Sequence, residues 1–89
     1  MLVLPKELTQ VQATACLRML VQGLRAQPDP EVVVDASALS RFDSSALAVL
    51  LEFRRETLAA GKRFLVRGLP ARLGDLAALY GVVELLPPA

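Results

Sequence analysis

The spacing of apolar and polar positions changes several times along this chain, and each change marks an element. Met1 to Leu4 is a short apolar run closed by Pro5, which suits a first or edge strand. Thr9-Gln10-Val11-Gln12 has the form of a capping box, with the Thr9 hydroxyl accepting from the Gln12 N–H and the Gln12 side chain reaching back to the Thr9 N–H. Ala13, Leu17, Leu20 and Leu24 follow at helical spacing and predict a helix to about Ala26, ended by Gln27-Pro28-Asp29-Pro30. Glu31-Val32-Val33-Val34-Asp35 is a β-branched run without alternation, the pattern of a central strand covered on both faces. Ala36 to Phe42 connects it to a second helix, Ser45 to about Ala60, with Asp43 or Ser44 as N-cap and Gly61 as the stop. Phe64-Leu65-Val66 predicts another buried strand, and Gly68-Leu69-Pro70 turns into a third helix with Leu73, Leu76, Ala77 and Tyr80 on one face. Val82 to Leu86 predicts a last short strand before Pro87-Pro88. Strands alternating with helices imply an α/β fold: one domain over residues 1–89, with a small, mixed but mostly parallel sheet and three helices.

Composition sharpens this picture. The chain holds eighteen Leu, thirteen Ala, ten Val and no Ile, and 54% of it is apolar. A domain of this size hides only about 60–65% of its unfolded surface, so some apolar area stays outside and points to an interface. Net charge is +1, but residues 41–72 carry seven basic groups against three acids. That local excess can steer an acidic partner. It is a poor nucleic-acid signature, because the four aromatics do not interleave with the basic groups. Cys16 is the only cysteine, so no internal disulfide forms, and its apolar helical setting reads as a small buried hydrophobe. No apolar run approaches the roughly 20 residues that span a bilayer, and no leader pattern opens the chain, so a cytoplasmic protein is expected.

The candidate chemistry lies in the turn Arg41-Phe42-Asp43-Ser44-Ser45-Ala46. In open α/β sheets, binding sites form beyond the carboxyl ends of the strands, and this turn follows the central one. Asp and Ser are the preferred N-caps, and one of them would be found here in any protein. Three in succession exceed what one helix end requires, which leaves a hydroxyl for other use. On the following helix, Ala46, Leu47, Leu50, Leu51, Phe53 and Leu58 define the core arc at ~100° per residue, and Ala48, Glu52, Arg55 and Glu56 the outer arc. Val49 falls at the margin of the outer arc beside Ser44 and Ser45. Ala48 and Val49 are therefore expected to form a dry patch next to the polar turn, as in a small protein-docking site. The partner-binding set is Asp43, Ser44, Ser45 and Val49.

Enzyme classes fit badly. The chain has no histidine and no lysine near Ser44 to act as its base, which leaves no triad or dyad for a serine nucleophile. The scattered Gly61, Gly68, Gly74 and Gly81 match neither a phosphate loop nor a dinucleotide fingerprint. Asp35 and Asp43 alone give too few ligands for a metal, so no catalytic residue, metal or cofactor is expected.

The stretch Val32-Val33-Val34-Asp35-Ala36-Ser37-Ala38-Leu39-Ser40-Arg41-Phe42-Asp43-Ser44-Ser45-Ala46-Leu47-Ala48-Val49-Leu50-Leu51 resembles the core of STAS domains. Their pattern is an apolar strand, Asp-x-Ser, an aromatic or apolar residue, then Asp-Ser-Ser-Gly-Leu and an apolar helix; Ala46 stands here in place of that glycine. The ending from Ala77 to Pro87 resembles one branch, the MlaB-like STAS subunits of Mla phospholipid-transport ABC systems. That resemblance implies a cytoplasmic domain, peripheral at the inner membrane, which binds and supports the ATPase subunit beside a membrane-embedded permease. By the same resemblance Ser44 matches the hydroxyl on which ATPase contact depends. In the anti-sigma factor antagonist branch, Ser44 would instead match the serine phosphorylated by an anti-sigma kinase. Neither branch implies nucleic-acid binding or direct membrane insertion.

Overall fold

The computed structural model describes all residues, Met1–Ala89. Nine short segments are regular: β1 (Leu2–Val3), β2 (Glu7–Leu8), α1 (Ala13–Ala26), β3 (Glu31–Asp35), β4 (Arg41–Phe42), α2 (Ser44–Ala59), β5 (Arg63–Arg67), α3 (Ala71–Leu79) and a 3₁₀ turn at Val83–Leu85. β1, β3 and β5 form a three-stranded sheet with β3 in the centre, and β2 and β4 form a separate two-stranded ribbon. Every pairing is parallel, with Val32 beside Phe64 and Val34 beside both Leu2 and Val66. The α/β architecture with three helices is the one expected from the alternation.

The core lies on one face of the sheet. Val32, Val34, Phe64 and Val66 are buried there, while Val33 and Leu65, expected to be covered as well, are only half-buried on the other face. The run Val32-Val33-Val34 therefore behaves as an alternating strand. α1 contributes Cys16, Leu20 and Leu24, and α2 contributes Ala46, Leu47, Val49, Leu50, Phe53 and Thr57. At the centre Phe53 meets Phe64 edge to face, with ring centroids 6.2 Å apart. Thr57 is fully buried, and its hydroxyl donates to the Phe53 carbonyl at 2.9 Å, so no polar atom is stranded beneath the helix.

Three local expectations change. Thr9 and Gln12 form half of the capping box: the Gln12 Oε1 accepts from the Thr9 N–H at 2.8 Å, but the Thr9 Oγ1 accepts from Val11 N–H instead of Gln12 N–H. α1 starts only at Ala13, with Gln12 in the cap position. The segment Val82 to Leu86 is not a strand. α3 ends at Leu79, the chain turns at Gly81 with φ +72°, and the 3₁₀ turn uses up the connection, so the chain reaches the sheet only at Pro87–Ala89, where Pro88 forms a parallel bridge to Val66. A proline is tolerated on that edge, because its missing N–H is not required there. The third change concerns helix faces. α2 is covered on a second side by α1, which rotates its buried arc toward Val49 and Thr57 and leaves Leu58 46% exposed. On α3, Tyr80 is 60% exposed, past the last turn that can reach the core.

Val49 is thus corrected from a marginal surface residue to a core residue, 4% exposed in the seam between α1 and α2. Val49→Asp is expected to destabilise the fold by roughly 3 kcal/mol or more, because the charge would be buried without a partner. Urea denaturation is the measurement, with Val49→Ala as a milder cavity control.

Candidate functional site

The loops that leave the carboxyl ends of β1, β3 and β5 meet at one pole. Their approach is close. Ala36 N–H donates to the Arg67 carbonyl at 2.8 Å, and a Cβ at Gly68 would sit 2.8 Å from that of Ser37, at a φ of +66° that itself favours glycine. Asp35 steadies the same loop through hydrogen bonds from the Ser37 hydroxyl and N–H, which hold its carboxyl below the usual aspartate range. The ribbon partner β2 is held from the other side: Ser40 and Arg41 N–H groups both donate to the Lys6 carbonyl, and Arg41 pairs with Glu7 at 3.4 Å.

Asp43 is the N-cap of α2. Its Oδ1 accepts from Ser45 N–H at 2.8 Å, and its Oδ2 accepts from Gln10 N–H at 3.2 Å. One carboxylate therefore closes the helix end and ties it to the turn before α1. The Ser45 N–H bond, followed by that from Gln10, lowers the Asp43 pKa, since both stabilise the charged form. Both carboxylate oxygens are used within the chain. Ser44, the first residue of α2, is exposed. Ser45 is half-buried and opens onto a groove of about 260 Å³ between α1 and α2, lined also by Ala13, Thr14, Leu17, Ala48, Val49 and Glu52.

With an exposed hydroxyl at a capped helix end, beside an apolar groove and beyond the carboxyl ends of a parallel sheet, the comparison with known proteins becomes specific. A family model described as "Mlab, STAS domain" matches residues 2–87. The chain belongs to the STAS domain family. A solved structure, described as an anti-sigma-factor antagonist (STAS) domain protein from Planctomyces limnophilus, superposes with a TM-score of 0.79 at 13% identity, covering 97% of this chain and 77% of that one. At that identity the likeness shows the fold. No curated protein sequence matches the chain.

In this STAS domain, Asp43, Ser44 and Ser45 lie together at the pole, as their adjacency requires. Val49 lines the floor of the groove and offers no outward face; Ala48 takes the exposed position next to Ser45. The α1 side of the groove and the Gln10 bond were not read from the sequence. They lie some thirty residues upstream, and nothing in local spacing links them to the turn. Cys16 is buried, with its thiol pKa pushed up by that burial, as expected of an inert side chain. No group of three or more His, Cys, Asp or Glu side chains comes together.

The Asp43 bonds give a pH signature. A carboxyl whose folded pKa is depressed stabilises the fold fully above the ordinary aspartate value, near ~4, and loses that contribution as pH falls through the depressed value. Asp43→Asn keeps an acceptor for Ser45 N–H but removes the charge, so its melting temperature should lie slightly below wild type at pH 7, with the gap closing as pH falls below the ordinary aspartate value. Asp43→Ala, which loses cap and tie together, should melt lowest at neutral pH. Thermal melts across that range check both.

Proposed function

We propose that this STAS domain is a non-catalytic accessory subunit that docks on the ATPase of an Mla-type phospholipid-transport ABC system. The observation that carries the reading is the match of nearly the whole chain to the MlaB-like family model, joined to an exposed Ser44 beside an apolar groove. No helix is long and apolar enough to cross a membrane, so membrane association would run through the ATPase and its permease. Ser44 supplies a hydroxyl contact, Ser45 and Ala48 border the apolar groove, and Asp43 holds the turn in shape. The absence of histidine and of a base near Ser44 supports a docking role over catalysis.

A second reading has its own support. The solved structure this fold resembles is described as an anti-sigma-factor antagonist, and an exposed serine opening a helix is a physically good place for a phosphate. In that reading Ser44 is the acceptor for an anti-sigma serine kinase, and phosphorylation releases the partner.

Two substitutions separate the readings. Ser44→Glu should keep or slightly raise the melting temperature, since a negative charge in the first helical turn is favourable by about 0.3–1 kcal/mol. A docked partner would bury that charge without a counter-ion, so association should fall by roughly thirtyfold or more in both readings. Ser44→Ala should weaken ATPase binding several-fold if the hydroxyl is a contact, at about 0.5–1.5 kcal/mol per hydrogen bond, and leave binding intact if it is only a phosphate acceptor. Co-purification with the ATPase subunit and with the serine kinase reads both. Normal association of Ser44→Glu with either partner removes this turn from the interface.

A further inference from the structure

Arg72 breaks a local rule. It is the second residue of α3, where the helix end carries partial positive charge and a cation is disfavoured. The first turn of α3 holds no acidic residue, and Pro70 in the cap position provides no side-chain acceptor. The three ion pairs of the molecule are Arg41–Glu7, Arg55–Glu52 and Arg63–Glu31, and Arg72 is in none of them. Its guanidinium lies instead over the half-buried ring of Phe42, 5.5 Å from the centroid. Phe42 is two residues before Ser44, so an exposed and oriented cation is anchored beside the candidate contact turn.

The charges around it are committed unequally. Glu7 is taken by Arg41 and Gln12, Asp35 by Ser37, and Asp43 by Ser45 and Gln10. Lys6, exposed and fixed to β4 through its carbonyl, is in no ion pair either. These three acids are satisfied internally, whereas Lys6, Arg67 and Arg72 are in no ion pair, and neither is the exposed Asp75, one turn beyond Arg72 on α3. A feature that opposes the helix dipole, has no compensating ion pair and lies beside a docking turn is placed for recognition. We infer that Arg72, held over the Phe42 ring, receives an acidic side chain of the protein that docks at Ser44. The inference rests on the docking role proposed above and specifies the chemistry of the partner: a carboxylate must face the start of α3.

The test uses the full-length chain and immobilised ATPase subunit. Arg72→Glu is expected to lower the association rate about tenfold at low salt, with the difference shrinking toward 0.5 M salt and the dissociation rate changing less. Arg25→Glu changes the net charge equally but lies at the end of α1, and should alter the rate less than about twofold. In the isolated protein, Arg72→Glu should match or exceed the wild-type melting temperature, because an acid suits that helix end. A lower melting temperature would show that Arg72 is a structural staple and overturn the inference, as would an unchanged association rate or an equal loss in Arg25→Glu. Should wild type not bind the ATPase, the transporter reading falls on its own, and the same rate and salt comparison is made on the serine kinase. An Arg72→Glu chain that then associates like wild type overturns the inference there too.

Discussion

α2 is buried from two directions, and most features of this molecule follow from that constraint. The sheet offers only one closed face, so α2 packs on β5 through Phe53 and Phe64 while α1 closes over its flank. A helix covered on two sides has a wide buried arc, and its solvent stripe is narrow. Val49 and Thr57 are drawn inside, and Thr57 remains compatible with the core only because Phe53 O accepts its hydroxyl. What α2 presents to solvent is its N-terminal turn, the seam it shares with α1 and a stripe through Ala48, Arg55, Glu56 and Leu58.

That turn is built from few parts. Asp43 uses one oxygen to cap α2 and the other to hold Gln10, so the entry to α1 and the entry to α2 move as a unit. Because the cap is supplied by Asp43, the Ser44 side chain is left to solvent. The division of labour explains why three polar residues stand where one would end the helix. The two proposed readings share this feature: each would use the free Ser44 hydroxyl at a rigid, electropositive helix end, and they differ in what would meet it.

The pole pairs stability with its opposite. The loops after β3 and β5 touch so closely that only glycine fits at position 68, and the ribbon β2–β4 is locked by the Lys6 carbonyl. On this rigid base sits an arginine at the wrong end of a helix dipole, supported by an aromatic ring. Local unfavourable choices on an otherwise consistent scaffold concentrate where other molecules are met.

Periodicity along the chain was enough for the three helices, the three strands of the main sheet, the α/β class and the turn at Asp43 to Ser45, because spacing, capping preference and glycine stops act over a few residues. It was not enough for the β2–β4 ribbon. The strand cores Val32–Val34 and Phe64–Val66 and the stop at Gly81 were legible for the same reason. Tertiary structure decided the rest. Whether Val49 faces water depends on where α1 lies, and whether Val82–Leu86 is a strand depends on how far α3 stands from the sheet edge. The second bond of Asp43 and the stacking of Arg72 on Phe42 join residues about thirty positions apart. A helical wheel describes one helix in isolation; the faces here were set by neighbours that only the folded chain brings into contact.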